Sequence, residues 1–443
     1  MNLPGRNSRI MALLAGLVLV LPAMVPARAA ADFIVGADVS LLPFFESNGI
    51  AYKVNGQAQD ALTILKQYGV NCARLRLFTS SAAQAQADPY NYVNNLDYTV
   101  PLAVRVKKAG LRWLLDFHYS DTWADPAHQA MPAAWTNLTF TQLVPQMRSY
   151  NSNCLATFVA AGATPDYIQV GNEITGGLLW PAGAVPGTNA TAQWSQLAQL
   201  LEAAIQGIHD VISTNPPPII VHLDRGGDWS TTKWFFDNLI QTQHVPFDII
   251  GESYYPFWHG SLDALANCLT NAAARYGKPV MVMETAFPWT NSYWTTNIYG
   301  LSGTTNGQAQ YVVSLAEVVK AVANGLAAGI FWWGTEYQTL PLVNEAGFNT
   351  ASFFDGAGNV LPGAGVFGQM DAPLALTASL TGSSVEVRWP LSGAGMTLTT
   401  ATGLAPGAFW SPVNSPVQNT GTTFQTTFPL SNGVSRFYRL QSN

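Results

Sequence analysis

The feature that most constrains the fold is an alternation, repeated eight times, between short apolar segments and longer segments with helical periodicity. The apolar segments are rich in β-branched residues and lie at 33–40, 71–78, 112–120, 167–174, 218–224, 247–255, 279–287 and 328–337. Near-continuous apolar strands that alternate with helices indicate a parallel sheet covered by helices. Eight such units predict an α/β fold, a (β/α)8 TIM barrel, over residues 30–370. A doubly wound open sheet is the weaker alternative, because no glycine-rich phosphate loop follows the first strand.

Polar and aromatic side chains cluster at the carboxyl ends of these predicted strands, where a TIM barrel carries its active site. Glu173 ends the fourth strand and Glu284 lies near the end of the seventh. The others are Arg74, Arg76, Asp116, His118, Asp121, Asn172, Ser253, Tyr254, Trp332 and Trp333. Because the strand ends converge on one face of a barrel, we expect these residues to form a single site.

The two glutamates fit the hydrolysis of a glycosidic bond with retention of configuration. That reaction needs a carboxylic acid to protonate the leaving oxygen and a carboxylate to attack the anomeric carbon, about 5–5.5 Å apart. We expect burial and the opposing charge to raise the pKa of Glu173, which makes it the acid. We expect Glu284 to stay ionised through hydrogen bonds from Arg76 and Tyr254. The amide of Asn172 is predicted to bind the sugar 2-hydroxyl.

Several segments resemble glycoside hydrolase family 53. They are DFHYSDTWADP at 116–126, YIQVGNEI at 167–174 with GLLWP at 177–181, GESYYPFW at 251–258, and VMET at 282–285. The Asn-Glu pair alone indicates a larger clan of barrel glycosidases, whereas the long string at 116–126 is far more specific. The resemblance spans residues 32–370, which is the whole predicted barrel.

The resemblance implies a secreted endo-β-1,4-galactanase that acts on the β-1,4-galactan side chains of pectin. It also implies Glu173 as the acid/base and Glu284 as the nucleophile. Two alternatives stay open: another barrel β-glycanase, such as a mannanase or glucanase, and a catalytically silent carbohydrate-binding protein. The presence of both glutamates argues against a silent protein, because such a protein has no chemical need for the pair.

The residues predicted to bind substrate are Arg76, Asp116, His118, Trp123, Asn172, Ser253, Tyr254 and Trp333. Trp123 and Trp333 are interpreted as platforms for sugar rings, and Trp180 and Trp258 as possible extensions of the groove. Packing under loops is the alternative role for all four. Arg76 is favoured over Arg74 for the site because it lies nearer the strand end. Arg74 is the candidate for a buried partner of a carboxylate.

The sequence predicts neither a metal site nor a cofactor. His118 has no second histidine at metal-ligand spacing, so hydrogen bonding is the favoured role. Some bacterial relatives hold calcium in the loops after strands seven and eight. Here residues 285–310 contain no Asp or Glu, and calcium requires clusters of oxygen ligands.

Composition bears on the partners of the protein. Charged residues make up 10% of the chain, and 20 basic against 26 acidic residues leave a net charge of −6. This balance argues against a general nucleic-acid surface. Fourteen Trp, sixteen Tyr and twenty-one Phe suit a protein that handles neutral sugars. We expect a monomer whose partner is the galactan polysaccharide.

The N-terminus resembles a signal peptide. Arg6 and Arg9 precede an apolar run at 10–27, which prolines interrupt, and Ala27-Arg28-Ala29 fits the small-x-small rule for cleavage. A membrane anchor is the alternative, because eighteen residues nearly span a bilayer. Residues 1–29 are therefore predicted to be removed, which leaves a mature chain outside the membrane, in the extracellular space or the periplasm.

The C-terminal residues 373–443 are predicted to form a small all-β module after a linker at Ala372-Pro373. They contain twenty Ser or Thr but only four charged residues. Alternating stretches at 384–389, 396–400, 422–428 and 435–440 indicate five or six short strands in all. The module either stabilises or spaces the enzyme, binds carbohydrate through Trp389 and Trp410, or attaches it to a surface or secretion apparatus.

Overall fold

The computed structural model describes residues 33–185, 191–291, 297–298, 300–341, 343–381, 383–403, 409–420, 423–429 and 436–441. The predicted signal peptide and its cleavage site lie outside these residues. Across the described part of the chain, no helix is both long and apolar enough to cross a membrane.

Eight parallel strands close into a barrel, which confirms the predicted fold class. They are β1 (Ile34–Asp38), β2 (Cys72–Leu77), β3 (Arg112–Phe117), β4 (Tyr167–Val170), β5 (Ile219–Leu223), β6 (Ile249–Ser253), β7 (Val280–Thr285) and β8 (Ala327–Trp332). The strands follow one another around the barrel in chain order, and β8 pairs with β1 to close it. Each falls inside one of the eight apolar segments, apart from one residue at the start of β8.

Helices connect the strands. They are α1 (Leu42–Ser47), α2 (Ala61–Gln67), α3 (Ala82–Ala87), α4 (Pro89–Tyr92), α5 (Leu96–Lys108), α6 (Phe140–Ala160), α7 (Thr191–Val211), α8 (Trp229–Phe236), α9 (Leu262–Tyr276), α10 (Thr305–Lys320) and α11 (Pro362–Gly368). Local capping explains several boundaries. The side chain of Ser261 accepts a hydrogen bond from the Ala264 amide at the start of α9, and Gly277 ends that helix with φ 62°.

The barrel interior has an apolar floor and a polar mouth. Seven of the eight strands contribute to the floor, which comprises Ile34, Cys72, Leu114, Ile220, Ile249, Met281, Met283 and Phe331. Residues two apart share a face of a strand, so Cys72 is followed on the interior face by Arg74 and Arg76. The same alternation places Asp116 above Leu114. The floor therefore supports a set of charged residues at the carboxyl ends of the strands.

The C-terminal region forms two antiparallel sheets. Its strands are β9 (Thr377–Thr381), β10 (Ser384–Pro390), β11 (Thr397–Ala401), β12 (Ser411–Pro412), β13 (Gln418–Asn419), β14 (Thr423–Pro429) and β15 (Phe437–Gln441). One sheet has the order β9-β10-β14-β13 and the other the order β12-β11-β15. The predicted segments coincide with β10, β11, β14 and β15, although residues 422 and 435 lie outside the described residues.

These sheets pack on the barrel. Trp389, Leu391 and Phe424 are buried in the same apolar core as the barrel helices. Gly395 approaches so closely that a Cβ there would lie 2.9 Å from the Cα of Ala321, directly after α10. The division of the chain at residue 370 into two domains stays a prediction, since the apolar core is continuous across it.

The three cysteines are buried and free. Cys72 belongs to the barrel floor, and Cys154 and Cys268 lie on α6 and α9. Burial raises the pKa of all three thiols, so they remain protonated and act as apolar filling.

Candidate active site

Glu173 and Glu284 lie together at the mouth of the barrel. Glu284 is within β7, and Glu173 follows β4 with a left-handed backbone (φ 49°, ψ 51°). That conformation costs on the order of 1 kcal/mol for a residue with a Cβ, and such strain is typical of functional sites. One carboxylate oxygen of each glutamate and one ring nitrogen of His222 all lie within 4.8 Å of one another. This spacing is shorter than the separation of about 6.5–9.5 Å between the carboxyls of inverting glycosidases.

Glu284 receives two hydrogen bonds, but from different residues than the sequence predicted. Arg74 Nη1 lies 2.8 Å from Oε1, and the Tyr255 hydroxyl donates to Oε2 at 2.8 Å. The expectation that Arg76 and Tyr254 supply these bonds is wrong. The corrected donors are nevertheless a guanidinium and a phenol, so the predicted chemistry around Glu284 is retained with different residues.

Arg74 is fully buried at the centre of the site. Besides Glu284 it contacts Asp116 at 2.8 Å, Asp38 at 3.3 Å and the Asn172 side-chain oxygen at 2.7 Å. Three carboxylates therefore surround one cation. Because a buried charge without a partner is very costly, this arrangement keeps the group ionised and fixed in place.

Arg76 has a supporting position instead. Its guanidinium contacts Asp38 at 3.2 Å and the hydroxyl of Tyr337 at 3.3 Å. It also lies between two indole rings, 4.2 Å from the centroid of Trp123 and 4.9 Å from that of Trp333. Arg76 thus lies behind the two tryptophans, and these contacts direct its guanidinium away from Glu284.

Strand alternation explains the correction at Tyr254. Ser253 points into the barrel, so the next residue on that face is Tyr255. The Tyr254 hydroxyl instead donates to the carbonyl of Gly260, at 2.8 Å. Tyr254 was predicted to bind substrate, but its hydroxyl instead stabilises the loop that follows β6.

Glu173 has a different environment from Glu284. Its Oε1 accepts a hydrogen bond of 2.6 Å from Ser253, whose hydroxyl also lies 2.9 Å from His222 Nε2. Burial and the negative charges of Glu284 and Asp224 raise the pKa of Glu173 well above its usual value. Burial also raises the pKa of Glu284, but Arg74 and Tyr255 oppose that rise. These surroundings therefore favour the protonated form of the carboxyl group more at Glu173 than at Glu284.

Asp116, His118 and Asn172 hold the site together. Asp116 Oδ2 binds both Arg74 and His118 Nε2, and His118 Nδ1 accepts the amide hydrogen of Ala124. Burial would raise the pKa of Asp116, but Arg74 and His118 outweigh it and bring that pKa below its usual value. Burial lowers the pKa of His118, which is therefore neutral and suited to hydrogen bonding.

An open cleft of about 450 Å³ leads to the two glutamates. Of the predicted site residues, those that line it are His118, Trp123, Asn172, Glu173, Glu284 and Trp333. Trp258 also lines the cleft and is 57% exposed. Trp180 lies elsewhere, in a separate cavity beside Pro126. Arg76, Asp116, Ser253 and Tyr254 are buried and do not line this cleft.

Four residues of the site were missed from the sequence: Gln169, His222, Asp224 and Tyr255. His222 and Asp224 come from β5 and its end, a strand to which no function was assigned. The signal was present, because His222 interrupts an apolar strand and Gln169 does so in β4. A polar residue on the interior face of a barrel strand is costly unless it has a partner.

Glu173, His222 and Glu284 could in principle bind one metal ion. Their atoms already have other partners, however. Arg74 and Tyr255 bind Glu284, and the Ser253 hydroxyl joins His222 to Glu173. A bound cation would also lie beside the guanidinium of Arg74. The donor set therefore fits an acid–base pair better than a metal centre.

Taken together, a closed (β/α)8 barrel whose mouth holds two buried glutamates at the end of an aromatic cleft defines a glycoside hydrolase.

Comparison with known proteins identifies the family. The sequence profile described as Glycosyl hydrolase family 53 matches residues 34–367. An arabinogalactan endo-β-1,4-galactanase of Humicola insolens is 38% identical over 308 residues, which cover 67% of this chain and 88% of that protein. The chain belongs to glycosyl hydrolase family 53.

Solved structures agree with this assignment. The family 53 catalytic domain of Ignisphaera aggregans superposes with a TM-score of 0.68 at 35% identity, covering 77% of this chain and 97% of that one. A structure from a study of two fungal β-1,4-galactanases gives a TM-score of 0.67 at 35% identity, covering 76% and 99%. The part of this chain that these structures leave uncovered is comparable in size to the C-terminal sheets and the predicted signal peptide together.

Proposed function

We propose that the protein is a secreted endo-β-1,4-galactanase that hydrolyses β-1,4-galactan by double displacement with retention of configuration. The observation that carries this proposal is the close pairing of Glu173 with Glu284, each with a different set of hydrogen-bond partners. The substrate follows from the relatives, of which the one from Humicola insolens is named an arabinogalactan endo-β-1,4-galactanase.

In the first step, Glu284 attacks the anomeric carbon. Its carboxylate is ionised because Arg74 and Tyr255 stabilise the negative charge. Glu173 is protonated and transfers its proton to the glycosidic oxygen as the bond to the anomeric carbon breaks. A galactosyl ester with Glu284 forms, and the remainder of the polysaccharide leaves with a new hydroxyl group.

In the second step, Glu173 acts as the base. It is now ionised and takes a proton from a water molecule, which attacks the anomeric carbon and releases Glu284. The ester is no longer negatively charged, which removes one of the charges that raise the pKa of Glu173. Its pKa therefore falls between the two steps, as the change from acid to base requires.

The cleft supplies the contacts for sugar. Trp123, Trp258 and Trp333 present aromatic rings, on which the apolar faces of galactose units stack. The Asn172 amide nitrogen donates one hydrogen to the Ala124 carbonyl at 2.8 Å. Among the described residues its second hydrogen has no partner, so it is available to the 2-hydroxyl, where a contact strengthens in the transition state.

The decisive experiment is the release of reducing sugar from galactan, mannan, xylan and cellulose by the purified protein. We expect hydrolysis of unbranched β-1,4-galactan with little action on the others. Equal or faster turnover of mannan or cellulose would replace galactan with another β-glycan. A proton NMR time course should show the β-anomer first, whereas an initial α-anomer would exclude retention.

A further inference from the structure

A chain of hydrogen bonds runs from Arg74 to Glu173, the proposed acid. The double-displacement mechanism proposed above gives no role to the residues between them. Arg74 lies 3.3 Å from Gln169 Oε1, and Gln169 Nε2 lies 3.1 Å from His222 Nδ1. His222 Nε2 lies 2.9 Å from the Ser253 hydroxyl, which is 2.6 Å from Glu173 Oε1. All five side chains are buried, apart from a slight exposure of Glu173.

Arg74 sets the direction of this chain. A guanidinium only donates, so the atom of Gln169 that faces it must be the oxygen and the atom that faces His222 must be the NH₂ group. That NH₂ group has two hydrogens and three acceptors within reach, the Gly171 carbonyl at 3.0 Å, Asn172 Oδ1 at 3.2 Å and His222 Nδ1 at 3.1 Å. Because the NH₂ group cannot accept, a proton on His222 Nδ1 would face another donor, so Nδ1 acts as an acceptor and carries no proton. A neutral imidazole has one proton, which is then on Nε2. Burial and Arg74 lower the pKa of His222 well below its usual value, which keeps the ring neutral.

The remaining links follow from this tautomer. His222 Nε2–H donates to the Ser253 oxygen, so the single hydrogen of Ser253 is free to donate to Glu173 Oε1. The opposite tautomer would place a proton on Nδ1, which lies 3.0 Å from Asn172 Oδ1. That oxygen already accepts from Arg74 at 2.7 Å and lies 3.2 Å from Gln169 Nε2, so it has little capacity for a third donor.

We propose that His222 and Ser253 are positioning residues that keep the catalytic proton on Oε2 of Glu173. This inference rests on the proposed function, because it assumes that Glu173 is the acid. Ser253 occupies Oε1 as a donor, so a proton there would face another proton. Oε2 therefore carries the hydrogen that moves to the glycosidic oxygen as the bond from that oxygen to the anomeric carbon breaks. The carboxylate that remains keeps the hydrogen bond from Ser253.

The geometry gives Arg74 two functions. It binds the nucleophile Glu284 directly, at 2.8 Å. Through Gln169, His222 and Ser253 it also fixes which oxygen of Glu173 is protonated. One permanent cation thus orients both glutamates, and the two arms of this arrangement can be tested separately.

The first test is the tautomer of His222 in the free enzyme, which requires no substrate. The protein has six histidines, and ¹⁵N-histidine labelling with two-dimensional NMR distinguishes a protonated from a bare ring nitrogen. We expect one buried ring with Nε2 protonated and Nδ1 bare between pH 5 and 8. His222→Gln should remove that signal, and Ser253→Ala should shift it. A proton on Nδ1, or a doubly protonated ring, would overturn the proposal even if galactan is the substrate.

The second test compares leaving groups. A dinitrophenyl β-galactobioside leaves without a proton, whereas the sugar leaving group of galactan needs one. Ser253→Ala should lower kcat/KM on galactan about 30-fold, and the loss on the dinitrophenyl substrate should be at least about tenfold smaller. Losses of equal size on the two substrates would mean that Ser253 has a general structural role, and would overturn the proposal.

His222 is tested with a conservative pair. The side-chain amide of Gln in His222→Gln can still donate to Ser253, whereas His222→Leu cannot. We expect the glutamine variant to keep more galactan activity than the leucine variant, with a smaller difference on the dinitrophenyl substrate. The matched control is His244→Gln at an exposed site, which should change neither rate. Circular dichroism shows whether each variant is folded. Equal activity of the glutamine and leucine variants would contradict the positioning role of His222. Inactivity of the wild type on galactan would instead contradict the proposed function.

Discussion

Charged side chains are buried in the barrel mouth but lie at the surface in the C-terminal sheets. In the mouth, Arg74, Asp116 and Glu284 are buried and in contact at 2.8 Å. In the C-terminal sheets, the pair of Arg388 and Glu386 is at the surface, with the arginine side chain 51% exposed. The buried residues of those sheets are mainly apolar.

This difference in the burial of charge indicates that the mouth serves function and the sheets serve stability. Burying paired charges is often no more stabilising than burying apolar groups of the same size, so a buried cluster of charge indicates a chemical role. An apolar interior such as that around Trp389 and Phe424 needs no explanation beyond packing. Substitutions in the mouth should therefore change rates, whereas those in the sheets should change stability.

The largest expected effect is that of the proposed nucleophile. Glu284→Ala should lower kcat on galactan by at least about 10⁴-fold, because the variant lacks the carboxylate proposed to form the glycosyl ester. Added azide should restore part of the activity on a dinitrophenyl substrate and give the α-glycosyl azide. The control is Glu202→Ala on the exposed face of α7. A β-azide product would mean that the roles of the two glutamates are reversed.

The proposed acid should show a more selective loss. Glu173→Ala should lower galactan hydrolysis by about 10²–10⁴-fold, the contribution typical of general acid catalysis. Formation of the glycosyl ester from a dinitrophenyl glycoside should be largely preserved, visible as a burst of dinitrophenol. Azide should give the β-glycosyl azide. Loss of the burst would show that Glu173 does more than transfer a proton.

The pH profile tests the same residue without a substitution. Glu173 must be protonated to act as an acid, and its pKa is raised well above the usual value. Activity on galactan is therefore present below that pKa and is lost as the pH rises through it. The alkaline limb of kcat/KM should be present for galactan and much weaker for a dinitrophenyl substrate. An identical alkaline limb for both substrates would assign it to another group.

The two arginines of β2 should differ in the size of their effects. Arg74→Lys keeps the charge but cannot bind Glu284, Asp116 and Asn172 together, so kcat should fall by about 100-fold. Arg76→Lys should cost about tenfold or less and act mainly on KM, because Arg76 supports Trp123 and Trp333. Steady-state kinetics on galactan measure both. A larger loss for Arg76 would restore the prediction made from the sequence.

The sequence predicted the strands and the pair of glutamates, because both depend on local patterns. Period and apolar content identify a strand, and a carboxylate at a strand end is placed in the mouth by topology alone. It favoured Arg76 over Arg74 for the contact with Glu284 because Arg76 lies nearer the strand end, but the long side chain of the deeper Arg74 reaches Glu284 instead. It chose Tyr254 over Tyr255, although counting by twos from Ser253 identifies the correct residue. His222 was missed because its partners, Gln169 and Ser253, come from other strands.

The smallest expected effect on catalysis is that of removing the C-terminal sheets. Every residue proposed for catalysis lies before Tyr337, so a chain that ends at Asp371 should hydrolyse soluble galactan within about twofold of the full rate per folded molecule. That cut keeps α11, whose Phe367 packs on Trp332 with ring centroids 5.9 Å apart. It removes the cover that Leu391 and its neighbours provide near α10, so the melting temperature should fall by about 2–4 °C for each kcal/mol of lost packing. Trp389→Ala in the full chain should also lower stability with little effect on rate, since Trp389 is 3% exposed and packs against Phe424.

If the shortened chain is folded by circular dichroism but inactive on soluble galactan, the sheets contribute to the cleft and the contrast between the two regions fails. If it loses only its binding to insoluble cell-wall material, carbohydrate binding is the function of the sheets, with Trp410 a better candidate than the buried Trp389.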